Sequence, residues 1–267
     1  MISIKHLLLI VLVVATAVTA LGTAQTPEEI NDNGVNKELA AYLLELDSAT
    51  FSRLRDRIPD KPVSTGLWRR YIGHWKIRND SLFLDSVLVM GTDRFEPAKI
   101  DDIYSSRRTP SGYFVDWVTD TLRIVSGEII RYEHMGWASD WENEEYVTVK
   151  DGIIKGRTIY KNRVVYPIGV NYDSIKSVID SLDLGFIPKM IVLRLEYDGF
   201  DENGTATGYK AEVIRSCGDT AVDDRVVRAI TGSTKIFKMI PIYYIRGQYK
   251  APGLSVKIPA SPAPRHS

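Results

Sequence analysis

Apolar residues change their spacing several times along the chain, and each change marks a boundary. Leu7–Leu21 is an uncharged run of Leu, Ile, Val, Ala and Thr that follows Lys5 and leads into Gly22-Thr23-Ala24. Small residues at those positions fit signal-peptidase cleavage after Ala24. As a helix the run would reach roughly 22 Å, short of a hydrocarbon core of roughly 30 Å. The pattern therefore predicts a signal peptide over residues 1–24, with a short retained anchor as the alternative. Leu39, Tyr42, Leu43 and Leu46 then recur at three and four, the period of one helix face, so residues 25–62 are expected to be helical. Asp47 or Ser48 is expected to start a second short helix through Phe51, Leu54 and Ile58, ended by Pro59 and Pro62.

From residue 63 to 170 the spacing favours strands. Trp75–Arg78 and Ser81–Leu84 flank Asn79-Asp80, and Tyr146–Val149 leads through Asp151-Gly152 into Ile153-Ile154. Both are hairpin signatures. Tyr113–Val118, Leu122–Val125 and Ile129–Tyr132 are further expected strands, the last two separated by Ser126-Gly127-Glu128. All five tryptophans (68, 75, 117, 137 and 141) fall in this stretch and are expected to pack in the core and on sheet faces. Tyr132 to Glu145, with His134 among its acids, reads as a solvated acidic loop. Beyond Asn171 the order becomes helix to Leu184, strand Ile191–Tyr197, turn Asp201–Gly204, strand Thr207–Ile214, helix Asp219–Ile230 and strand Gly253–Ile258. Residues 261–267 are expected to form a disordered tail. The whole predicts an α+β chain with N-terminal helices, an antiparallel β-rich middle domain and a C-terminal domain over 171–260.

Charge and scarce residue types then narrow the chemistry. Lys and Arg (34) balance Asp and Glu (34), so there is no overall basic field to hold nucleic acid. A single cysteine, Cys217, excludes an intrachain disulfide and a cysteine-based zinc site. Four histidines, of which only His74 and His134 lie away from the termini, suggest neither a metal centre nor a cofactor. A serine hydrolase built on His134 and Asp140 is the enzymatic alternative, but no nucleophile-elbow motif accompanies it. No catalytic, cofactor or metal residue is therefore assigned.

The C-terminal stretch carries a more specific pattern. Ile191–Tyr197, Asp201-Glu202-Asn203-Gly204 and Ala211–Ser216 are followed by Cys217-Gly218-Asp219, Val222-Asp223 and Val226–Ile230, then Pro241, Arg246-Gly247 and Leu254–Pro259. In this order they resemble the TonB C-terminal-domain family, periplasmic proteins that couple inner-membrane energy to outer-membrane transport. The family's usual tryptophan and proline after the second helix are replaced here by Thr234–Lys238, with Phe237, and a later Pro241. Its proline-rich spacer is replaced by the tryptophan-rich domain. The resemblance implies a periplasmic, non-enzymatic protein that adds an extended protein segment to its last strand, as with N-terminal segments of outer-membrane receptors. The edge residues would be Ser255, Val256, Lys257 and Ile258. An inner-membrane-anchored energy transducer is the alternative within the same resemblance.

Overall fold

The computed structural model describes residues 23–60, 64–91, 93–166 and 172–261. Residues 1–22 of the expected leader and 262–267 of the expected tail lie outside them. The chain divides into two units, Met1–Lys161 and Asn162–Ser267. Among the described residues no helix is long and apolar enough to cross a membrane.

In the first unit, Asn33 and Gly34 take left-handed backbone angles (φ 50° and 97°). That two-residue turn pairs β1 (Glu28–Asp32) with β2 (Val35–Leu39). Residues 28–39 are thus a hairpin, contrary to the expected helix. Asn-Gly supplies positive φ at both turn positions, which matches the twist of the strands it joins. The apolar repeat from Leu39 to Leu46 continues past the strand into a short 3-10 turn. The second expected helix is present as α1 (Ser48–Arg55), where Asp47 Oδ1 accepts a hydrogen bond from Thr50 N at 3.2 Å. Ile58 lies beyond its end.

The strands that follow are β3 (Tyr71–Arg78), β4 (Ser81–Met90), β5 (Phe95–Pro97), β6 (Arg108–Thr109), β7 (Gly112–Phe114), β8 (Asp120–Arg131), β9 (Asp140–Lys150) and β10 (Ile153–Lys161). The turns Asn79-Asp80 and Asp151-Gly152 both lie at positive φ, as their sequences predict. The expected strand Tyr113–Val118 is strand only to Phe114. Ser126–Glu128 does not break the chain into two strands: β8 runs through it with a bulge, Gly127 at φ 82°. The sheet runs β10-β9-β8-β2-β1-β3-β4, and Ile153 of β10 pairs with Ser81 of β4. Hydrogen bonds from Leu82 N to Gly152 O and from Ile154 N to Asp80 O, both 2.9 Å, complete the closure. The result is a barrel closed at the start of β10; beyond Ile154, among the described residues, β10 pairs with β9 alone. Alternate positions form one core that includes Ile30, Leu39, Trp75, Ile77, Leu84, Leu122, Ile124 and Val147. Each such side chain contributes about 1.5–3 kcal/mol by leaving water.

The acidic stretch is the largest departure. Asp140–Glu145 opens β9, and Asp140, Glu144 and Glu145 are buried. Arg131 Nη2 meets Asp140 at 2.5 Å, Arg123 Nη2 meets Glu144 at 2.8 Å, and Arg157 and Lys37 hold Glu145 at 2.5 and 2.8 Å. A charge survives burial when it is paired and hydrogen-bonded, and these partners come from other strands. The tryptophans also divide. Trp75 is fully buried, Trp117, Trp137 and Trp141 are half-buried, and Trp68 is 57% exposed.

The second unit contains β11 (Arg163–Tyr166), α2 (Tyr172–Asp180), β12 (Ile191–Phe200), β13 (Ala206–Arg215), α3 (Thr220–Gly232), α4 (Thr234–Phe237), β14 (Ile242–Ile245), β15 (Gln248–Lys250) and β16 (Leu254–Ile258). β11, assigned from sequence to the middle domain, pairs with β14 instead. Two three-stranded antiparallel sheets result, β13-β12-β16 and β11-β14-β15. Asp219 caps α3 by accepting from Ala221 N and Val222 N. Its Val226 and Ile230 share a core with Ile175 and Ile179 of α2 and with Leu193, Leu195, Val256 and Ile258 of the first of these sheets. The chain as a whole is strand-rich α+β.

Candidate groove at the β16 edge

β12 is the middle strand of its sheet, so β16 is an edge. The register pairs Ile191 with Ile258, Leu193 with Val256 and Leu195 with Leu254. Apolar and polar positions alternate along β16: Leu254, Val256 and Ile258 are buried, whereas Ser255 and Lys257 are exposed. That alternation explains why a five-residue segment forms a strand with one face on the core. One side of β16 bonds to β12. Among the described residues, no strand pairs with the other side. In an antiparallel edge every second residue turns its N–H and C=O outward.

A groove of about 570 Å³ runs along that free side. Ser255, Val256 and Lys257 form one wall, and Tyr172, Ile175, Lys176 and Ile179 of α2 form the other. Ile175 and Ile179 give it an apolar base where α2 meets the core. Tyr172 stands at 73% exposure on its rim. Lys176 pairs with Asp180 one helical turn on. After β16 the chain continues in line with the strand: Ser261 N donates to Ile187 O at 3.0 Å, and Ile187 N donates to Ser261 Oγ at 2.7 Å. The described residues of the tail thus extend the β12 pairing and do not fold back over the open side.

Three of the four residues expected from sequence line the groove. The fourth, Ile258, is packed in the core at 1% exposure. For the α2 wall the sequence predicts a helix and no more. Nothing in the pattern of residues 172–180 signals that their helix borders the strand that begins at Leu254.

The other sequence candidates are dispersed. His134 Nδ1 lies 2.8 Å from the Tyr132 hydroxyl, while Asp140 is held by Arg131. Neither contact joins His134 to Asp140. Cys217 is buried, its N–H donating to Asp223 Oδ1 at 3.1 Å, and burial pushes its thiol above the usual range. Among the described residues, no group of His, Cys, Asp and Glu is arranged to hold a metal ion.

No family model matches the chain, and no curated protein or solved structure matches it either.

Proposed function

We propose that this is a non-enzymatic, exported periplasmic protein whose C-terminal unit captures an extended segment of another polypeptide by adding it to β16. The observation that carries the reading is the open side of that strand facing the groove against α2. Main-chain hydrogen bonds to the outward N–H and C=O groups supply affinity in this mode, and alternate side chains entering a groove supply selectivity. Each new hydrogen bond is worth about 0.5–1.5 kcal/mol net, and ordering the segment offsets part of the total. The fit is to a short, transiently held segment. The TonB resemblance of residues 171–260 supports receptor N-terminal segments as the partner class and outer-membrane transport as the setting.

Synthetic peptides carrying such N-terminal segments test this. Val256→Pro and Lys257→Pro form the informative pair. Strand alternation means that one of the two prolines removes a hydrogen bond to β12, and the other removes an outward donor. The variant that keeps the wild-type melting temperature is expected to lose peptide binding. Unchanged binding by that variant would refute the edge as the site.

A further inference from the structure

The first described residues are strapped into the first unit from both sides. Gln25 N donates to Gly136 O at 2.8 Å, Gly136 N donates to Thr23 O at 3.3 Å, and Ala24 forms a parallel bridge with Gly136. Opposite, Thr26 N donates to Gly66 O at 2.8 Å. A Cβ on Gly66 would lie 2.9 Å from Ala24 O, so the strap passes too close for a side chain there. The Gln25 side chain donates to Thr23 O at 2.9 Å and accepts from the Tyr42 hydroxyl at 3.1 Å. Residues 23–26 thus run between the 64–68 turn and the 132–139 loop. Cleavage after Ala24 would remove the Thr23 acceptor and the Ala24 bridge that the fold uses.

The surface around this strap is apolar and aromatic. Trp68, two residues past Gly66, is more than half exposed, and on the other loop Tyr132 and Met135 are 59% and 65% exposed. Tyr42 joins the two sides: its ring centroid lies 6.0 Å from that of Trp68 and 4.3 Å from that of Trp137. Arg123 fixes the second loop by donating to the carbonyls of Trp137 and Ser139. Glu133 on that loop is paired with Arg131 at 3.0 Å. Grouped exposed residues of this kind mark an interaction surface, but the rings alone do not select what covers them. The chain does. Gly22 alone separates Thr23 from the uncharged run Leu7–Leu21, and two residues span at most about 7 Å. Whatever solvent takes up that run, the strap and its aromatic surround lie at its boundary.

We propose that residues 1–22 stay on the exported protein, that Leu7–Leu21 enters a lipid bilayer, and that the face formed by Trp68, Tyr132, Met135 and Trp137 rests in its headgroup layer. Tryptophan and tyrosine favour that layer because their rings are apolar and their N–H and O–H groups stay wet. As a helix the run reaches roughly 22 Å, less than a core of roughly 30 Å. A short run draws its flanking residues toward the hydrocarbon, and here the flank is the barrel surface itself. With Glu133 already paired to Arg131, the face adheres through apolar contact and needs no anionic lipid. Membrane docking stands apart from strand addition at β16, since it involves the first unit alone.

Intact mass of the exported protein is the first measurement, and it is expected to include residues 1–24. The full-length protein is then placed in phosphatidylcholine vesicles in which a fraction of the lipid carries a nitroxide on its headgroup, and quenching of tryptophan fluorescence is read. Quenching is expected in wild type, with a large part of it lost in Trp68→Phe and the far-UV spectrum unchanged. High salt is expected to leave it as it is, because no charge pairing holds the face. Inserting about ten Gly and Ser residues between Gly22 and Thr23, a linker of roughly 17 Å, separates the surface from its tether. Quenching is expected to persist in that variant and to be lost when Tyr132→Asp and Met135→Asp are added to it. A mature chain that begins at Gln25 would overturn the proposal, as would wild type that the headgroup nitroxide does not quench, or quenching that ignores Trp68→Phe or disappears in salt. Loss of quenching with the linker alone would also overturn it, by showing that the face has no affinity of its own.

Discussion

Replacing Glu28 with glutamine isolates a charge buried in the barrel. Glu28 is 0% exposed, and its Oε2 accepts from Trp75 Nε1 at 2.5 Å. Arg69, equally buried, approaches the other oxygen only to 3.6 Å. Two effects oppose: burial disfavours the carboxylate, and Arg69 favours it. Burial wins, raising the Glu28 pKa from 4.5 to about 7. A carboxyl that binds protons more tightly folded than unfolded contributes stability that is fully present below pH 4.5 and lost as pH rises to about 7. At about 1.4 kcal/mol for each tenfold change in proton affinity, the loss is about 3 kcal/mol. Glutamine reproduces the protonated form and can still accept from Trp75. Glu28→Gln should therefore match wild type at pH 4.5 and exceed its stability by about 3 kcal/mol at pH 8. Urea unfolding followed by tryptophan fluorescence measures it, because all five tryptophans lie between residues 68 and 141 and report on the first unit. Subtracting the two pH curves removes the other titrating groups. A variant less stable than wild type at pH 8 would refute the reasoning, since it would place the Arg69 ion pair above the burial cost.

Three further substitutions or modifications follow. Gly152→Val should destabilise the barrel by about 2–4 kcal/mol in the same urea assay: Gly152 sits at φ 75°, and a Cβ there would press on the Val115 carbonyl at the closing hairpin. Arg157→Met should cost about 3 kcal/mol at pH 7, because it leaves Asp32 and Glu145 to share the Lys37 ammonium. Burial raises the Asp32 carboxyl, but hydrogen bonds from Arg157 and Lys37 outweigh it and hold the group below its ordinary range. Its contribution is therefore present at neutral pH and lost in acid, and the difference between Arg157→Met and wild type should shrink below about pH 4. Cys217 should react with a thiol-specific reagent only as fast as the second unit opens, since it is 3% exposed and its thiol is held protonated by burial. Rapid labelling of the native protein would contradict that placement.

The parts of the fold visible in the sequence are those set by neighbouring residues. Asn79-Asp80 and Asp151-Gly152 announce their hairpins, Asp47 and Asp219 announce helix starts, and the apolar run from Ile191 and the alternation of Leu254–Ile258 mark two strands of the second unit. The same local chemistry at Asn33-Gly34 was masked by an apolar repeat beginning at Leu39, whose spacing suits a helix but whose first member ends a strand. What stayed hidden depends on partners distant in sequence. Glu144 and Glu145 look like surface acids until Arg123 and Arg157 are placed beside them. Arg163–Tyr166 looks like the end of the middle domain until it meets Ile242–Ile245 nearly eighty residues on. At the candidate groove, the strand wall was legible because strand alternation is local. The α2 wall was not, because its place depends on how the helix packs.

Amide hydrogen exchange of the full-length protein, with and without a receptor N-terminal peptide, tests the strand-addition reading most directly. Outward-facing amides among Ser255–Ile258 should slow markedly on peptide addition, while those of Lys210–Ile214 on the opposite edge keep their rates. Equal rates along β16 with the peptide bound, or protection confined to β13, would contradict it.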